Sequence, residues 1–90
     1  MLSRLARGET VLGDGGWGTM LMARGLEPGA CPERLNLERP ELLAEIAGLY
    51  LAAGAELVTT NTFGGSPLKL AHYGLEDRCE ELNRRGVEVV

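Results

Sequence analysis

The chain has 90 residues, 44% of them hydrophobic and 24% charged, and a net charge of −4. That is the balance of a globular protein with enough chain for one small domain. No run approaches the roughly 18 apolar residues of a membrane span. No Lys/Arg cluster invites nucleic acid either, because the densest basic spot, Arg84-Arg85, lies among acids.

Met1 to Thr10 carries Arg4, Arg7 and Glu9 between short apolar residues and lacks the apolar centre of a secretory signal, so a cytoplasmic location is expected. Thr10-Val11-Leu12 is a short apolar run ended by Gly13 and predicts a buried strand running into a turn. Met20 to Arg24 predicts a short helix with Gly25 just past its end. Glu27 to Arg39 is punctuated by Pro28-Gly29 and Cys31-Pro32 and reads as irregular. Pro40 suits a first helical position and Glu41 adds negative charge where the helix dipole favours it. Leu42, Ile46, Leu49, Tyr50 and Ala53 then fall on one helical face, and Gly54 ends the helix.

Glu56 to Thr60 predicts a second strand, followed by the polar segment Asn61-Thr62-Phe63-Gly64-Gly65. Ser66 is a good N-cap with Pro67 behind it, opening a helix to Tyr73 that Gly74 stops. A last helix carries Leu75, Cys79, Leu82 and Gly86 on one stripe and shows no stop signal before Val90. The order strand, helix, strand, helix predicts a βαβα unit with parallel strands in an α/β architecture. Two such strands leave two open edges and enclose no core, so residues 1–90 are expected to form one part of a larger molecule.

Both notable motifs follow a predicted strand, at the end of the sheet where α/β proteins bind ligands. In the first, Asp14 supplies a carboxylate, while Gly15 and Gly16 let backbone N–H groups approach a ligand closely. A carboxylate beside free amides suits a zwitterion such as an amino acid, the acid taking the ammonium and the amides the carboxylate. The alternative is that Asp14 caps the helix starting near Gly18 or Thr19. In the second, Asn61 and Thr62 offer amide and hydroxyl groups and Phe63 an apolar wall; the alternative is a loop satisfying its own backbone.

Gly13-Asp14-Gly15-Gly16-Trp17-Gly18 also matches the G-x-G-x-x-G dinucleotide fingerprint. That fingerprint needs a long helix directly after the glycines and an acidic residue ending the next strand about 20 residues on. The short helix and the ending Thr59-Thr60-Asn61 argue against it. His72 has no partner at metal spacing and reads as a surface or packing residue. Trp17 and Tyr50 read as packing groups. Cys31 and Cys79 have no Cys or His at ligand spacing, and reduced thiols are expected.

Taken together, these segments resemble a known family. Asp14-Gly15-Gly16-Trp17-Gly18-Thr19-Met20-Leu21 is similar to the D-G-(G/A)-x-G-T-x-L opening of homocysteine S-methyltransferases. Cys31-Pro32-Glu33, Asn36-Leu37 and Arg39-Pro40-Glu41-Leu42 resemble the segment before that family's first long helix. Tyr50-Leu51-Ala52-Ala53-Gly54-Ala55-Glu56 and Thr59-Thr60-Asn61-Thr62-Phe63-Gly64 resemble its A-G-A-(D/E) and T-N-T-F signatures. Tyr73-Gly74-Leu75 and Glu81-Leu82-Asn83 also look similar. The likeness runs from about Val11 to Val90 and is strongest to the cobalamin-dependent bacterial branch, whose N-terminal module binds homocysteine.

The resemblance implies that residues 1–90 are the N-terminal βαβα part of a homocysteine-binding (β/α)8 TIM barrel, incomplete in these residues. It implies transfer of a methyl group to homocysteine to give methionine; relatives use methyltetrahydrofolate through cobalamin, betaine or S-methylmethionine as donor, and the likeness favours the first. Asp14, Gly15 and Gly16 would hold the amino-acid end of homocysteine, with Asn61, Thr62 and Phe63 lining the pocket. The family also uses zinc on three cysteines to activate the thiol. Cys31 and Cys79 do not match those positions, so zinc ligands are expected after Val90 and no catalytic residue is expected within the chain. The implied partners are homocysteine and further segments or domains of the same protein. The rival expectation is a non-catalytic fragment or assembly piece, inactive without the rest of the chain.

Overall fold

The computed structural model describes residues 2–90. They fold into six α-helices joined by loops and two 3-10 turns. The α-helices are α1 (Leu2–Ala6), α2 (Gly18–Ala23), α3 (Leu35–Glu38), α4 (Pro40–Ala52), α5 (Pro67–Ala71) and α6 (Cys79–Glu88). The 3-10 turns, Pro32–Arg34 and Glu76–Arg78, lead directly into α3 and α6.

The expected βαβα arrangement, and with it the TIM-barrel portion, is not formed among the described residues. Where two parallel strands were predicted, one isolated parallel bridge joins Gly13 to Leu57. Its anchor is the Leu12 carbonyl, which accepts from the N–H groups of Glu56 (2.7 Å) and Leu57 (3.1 Å). The physical reason is the shortness of both segments and the lack of neighbours. Parallel pairing is the weaker ladder, and two strands without a covered face are marginal. Leu12 and Leu57 accordingly stay about half exposed, at 57% and 47%, rather than being buried in a sheet.

The helices follow local rules more closely. Pro40 stands at the start of α4, and its missing N–H costs nothing there. Leu42, Leu43, Ile46 and Ala47 form the buried stripe of α4. Leu49 and Ala53, expected on that stripe, are exposed. Gly54 closes the helix at φ +113°, letting the Ala55 N–H reach back to the Tyr50 carbonyl at 3.0 Å. Gly25 does the same for α2 at φ +108°, with Leu26 N–H on the Leu21 carbonyl. Ser66 caps α5 by accepting from the Lys69 N–H at 3.2 Å. The stretch expected to be irregular contains the Pro32–Arg34 turn and α3.

Two small cores result. Leu21 of α2 packs with Leu42, Leu43 and Ile46 of α4, flanked by Trp17, Leu35 and Tyr50. Cys31, Leu70 and Leu82 form the second, flanked by Leu37, Leu75 and Cys79. Of the stripe expected on the last helix, Cys79, Leu82 and Gly86 lie on the inner side of α6, whereas Leu75 lies before the helix, ahead of the Glu76–Arg78 turn. No described helix is long and apolar enough to cross a membrane.

Candidate functional site

The glycine-rich turn is held by its own carboxylate. Asp14 Oδ2 accepts from the Trp17 indole N–H at 2.6 Å, from the Thr59 N–H at 2.8 Å and from the Thr59 hydroxyl at 3.0 Å. One oxygen therefore joins the turn after Gly13 to the segment after Leu57, 45 residues away. Partial burial pushes the Asp14 carboxyl up, but the donors from Trp17 and Thr59 outweigh it and hold it below the usual carboxylate range. No side chain of Asp14 caps α2, whose N-terminal neighbour is Trp17 without a capping bond.

Tyr50, from the end of α4, completes the turn. Its hydroxyl donates to the Gly16 carbonyl. Its ring lies so close to Gly15 that a Cβ there would meet Cε1 and the phenolic oxygen at 3.0 Å. The ring also stands 6.4 Å from Trp17, tilted by 40°. The turn is thus clamped from one side by α4 and from below by Thr59.

The second segment is anchored by a buried amide pair. The Asn36 side chain is fully buried and donates to the carbonyls of Asn61 and Leu82, both at 2.9 Å. Asn61 returns a bond to Asn36 Oδ1 at 2.9 Å and donates to the Pro32 carbonyl at 2.8 Å. No fully buried side-chain oxygen or nitrogen of the described residues is left without a partner, as burial requires. Thr60 and Thr62 share a hydroxyl–hydroxyl bond of 2.7 Å. Gly86 of α6 lies beneath: a Cβ there would meet Thr62 Cγ2 at 2.7 Å and Asn36 Nδ2 at 2.8 Å. Phe63 projects fully into solvent.

A cavity of about 770 Å³ opens between these parts, lined by Trp17, Gly18 and Leu21 on one side and Pro32 and Glu33 on another. Thr59 to Gly64, Lys69 and Tyr73 complete it. Of the six residues picked from the sequence, Asn61, Thr62 and Phe63 line this cavity, while Asp14, Gly15 and Gly16 stand behind Trp17 and Thr59, outside its wall. Asp14 is joined to that wall by its bonds to Trp17 and Thr59.

Glu33 is the residue that sequence reasoning missed. It is the one buried charged side chain among the described residues, 4% exposed. Desolvation pushes its carboxyl above the usual range, against the Gly64 backbone N–H, its own N–H and the charge of Lys69. The sequence signal was present in Pro32-Glu33, but a carboxylate in a supposedly irregular segment reads as solvated. Trp17 and Thr59 were likewise legible only as packing and strand residues.

Among the described residues no three His, Cys, Asp or Glu side chains come together as a metal site. Cys31 is buried and Cys79 is partly buried, both as free thiols. Cys79 points its Sγ at the Gly65 carbonyl at 3.1 Å. The described residues therefore do not fit the zinc that the family resemblance implies.

Comparison with known proteins gives a consistent result. The family model for homocysteine S-methyltransferase matches residues 11–90. A methionine synthase from Mycobacterium leprae (strain TN) is 39% identical over 97 residues, covering 99% of this chain and 8% of that protein. A methionine synthase from Mycobacterium tuberculosis (strain ATCC 25618 / H37Rv) is 40% identical over 89 residues, covering 90% of this chain and 7% of that protein. The chain thus spans less than a tenth of the length of either relative.

Proposed function

The chain belongs to the homocysteine S-methyltransferase family, and on that premise we propose that it forms the homocysteine-holding part of an enzyme that methylates homocysteine to methionine. The observation that carries this reading is the Asp14 clamp, a carboxylate held in its charged form beside two glycine amides.

In this scheme the ammonium group of homocysteine meets the Asp14 carboxylate from the side of Oδ1, since Oδ2 is occupied by Trp17 and Thr59. The Gly15 and Gly16 amides take the α-carboxylate, which can approach them closely because glycine carries no side chain of its own. Asn61, Thr62 and Phe63 border the space for the thiol-bearing end. Phe63, fully exposed as the chain stands, supplies an apolar surface that covers the ligand when homocysteine or the remaining protein is in place.

The reaction itself needs a thiolate and a methyl donor. The zinc that would lower the thiol pKa has no ligand set among the described residues. Methyltetrahydrofolate through cobalamin is the donor the reading favours, delivered by other parts of the protein. This chain's own contribution is to bind and orient the amino acid.

The test is calorimetry of homocysteine binding by the full-length protein and its Asp14→Asn variant, which keeps shape and removes charge. Loss of a charge-assisted hydrogen bond of about 1.5–3 kcal/mol predicts affinity reduced by roughly ten- to a hundredfold. Undiminished binding by the variant would sink the assigned role.

A further inference from the structure

Glu33 has no part in that scheme, yet its placement is costly. A carboxylate removed from water loses hydration that only good partners return. Lys69 acts on it through space, and the Gly64 backbone N–H faces it. The carboxylate lies so tightly over Gly64 that a Cβ at that position would overlap Oε1. Its neighbour Pro32 turns its carbonyl to the Asn61 side chain at 2.8 Å. One turn therefore grips both ends of the Asn61–Gly64 segment, by a backbone carbonyl at Asn61 and by a side-chain carboxylate at Gly64.

We propose that Glu33 is a positioning residue for homocysteine: with the Pro32 carbonyl it fixes both ends of the Asn61–Gly64 segment and so sets the cavity wall that receives the ligand. This rests on the homocysteine-binding reading and adds to it a residue that need not touch the ligand. A long side chain ending in an oxygen suits the task because it reaches the Gly64 backbone and offers its N–H an acceptor. Gly64 is required on the other side because any side chain would displace that acceptor. The segment between the two grips carries Thr62 and Phe63, so an error at Gly64 moves both across the cavity.

The experiment compares the full-length protein with Glu33→Gln, Glu33→Leu and Gly64→Ala variants. Homocysteine affinity is measured by calorimetry, and amide hydrogen exchange is followed over residues 61–65 and over α4. Gln keeps an acceptor for the Gly64 N–H, so its affinity stays within about threefold of wild type. Leu lacks the acceptor, so affinity falls about tenfold and exchange at 61–65 quickens while α4 stays protected. Gly64→Ala reproduces the Leu phenotype with Glu33 intact, which keeps the test open should Glu33→Leu fail to fold. If wild type binds homocysteine and both the Leu and Ala variants bind as tightly, the positioning role is overturned alone. It is also overturned if Gln is as weak as Leu, because the charge would then be acting directly. A wild type that does not bind homocysteine overturns the functional reading first, and this proposal with it.

Discussion

Replacing Asp14 by Ala removes the acceptor shared by Trp17 and Thr59. Each hydrogen bond to a charged group contributes about 1.5–3 kcal/mol, so the gross loss is about 4.5–9 kcal/mol. Most of that does not appear as stability, because Asp14 is only partly buried and water reaches the freed donors and screens the charge. A net loss of about 2–3 kcal/mol is expected, read as a lower urea midpoint with unchanged slope. The pH dependence is a second signature. The folded carboxyl lies below its unfolded value of about 3.9, so its contribution is complete above that value and disappears as pH falls through the folded one. The gap between wild type and Asp14→Ala is therefore constant from pH 7 to about 5 and closes in acid below about 4. A loss under about 0.5 kcal/mol at pH 7, or a gap that widens on acidification, would refute the view of Asp14 as the tie between the two segments.

Gly86→Ala should destabilise by about 1–2 kcal/mol in thermal unfolding, because overpacking against Thr62 and Asn36 exceeds the helix-propensity gain of about 1 kcal/mol. Tyr50→Phe loses the bond to the Gly16 carbonyl but keeps the ring over Gly15, so a loss of about 0.5–1.5 kcal/mol in urea is expected, with homocysteine affinity falling alongside. For Glu33 the sign is opposite to that of Asp14. Its folded carboxyl lies above the unfolded value of about 4.3, so its stabilising contribution is full below that value and is lost as pH rises through the folded one. Glu33→Gln should therefore gain on wild type between pH 4 and 7 in parallel urea titrations; a pH-independent difference would count against burial as the cause.

What the sequence showed clearly was local. Pro40, Gly54 and Ser66-Pro67 act through neighbours a few residues away, and each is found in its expected role, while of the expected last-helix stripe Cys79, Leu82 and Gly86 lie on α6 and Leu75 lies before it. The strands failed because Thr10-Val11-Leu12 and Glu56 to Thr60 have strand-like composition but pair at a single bridge. A strand depends on what lies beside it, and propensity carries no such information. The site was half legible for the same reason. Asn61 was chosen as a polar group beside a glycine, but its partners Asn36 and Pro32 lie 25 and 29 residues earlier. Glu33 became conspicuous only once Gly64 was seen against it.

The 45-residue span between Asp14 and Thr59 has a kinetic meaning. Closing so long a loop carries an entropic cost that is not recovered until α4 has formed and docked on Leu21, which shortens the effective path between the two ends. The clamp therefore belongs among the late events of folding, after the local helices. Trp17 is the chain's single tryptophan, flanks the first core and donates directly to Asp14, so its emission responds in turn to the docking of α4 and to the closing of the glycine-rich turn.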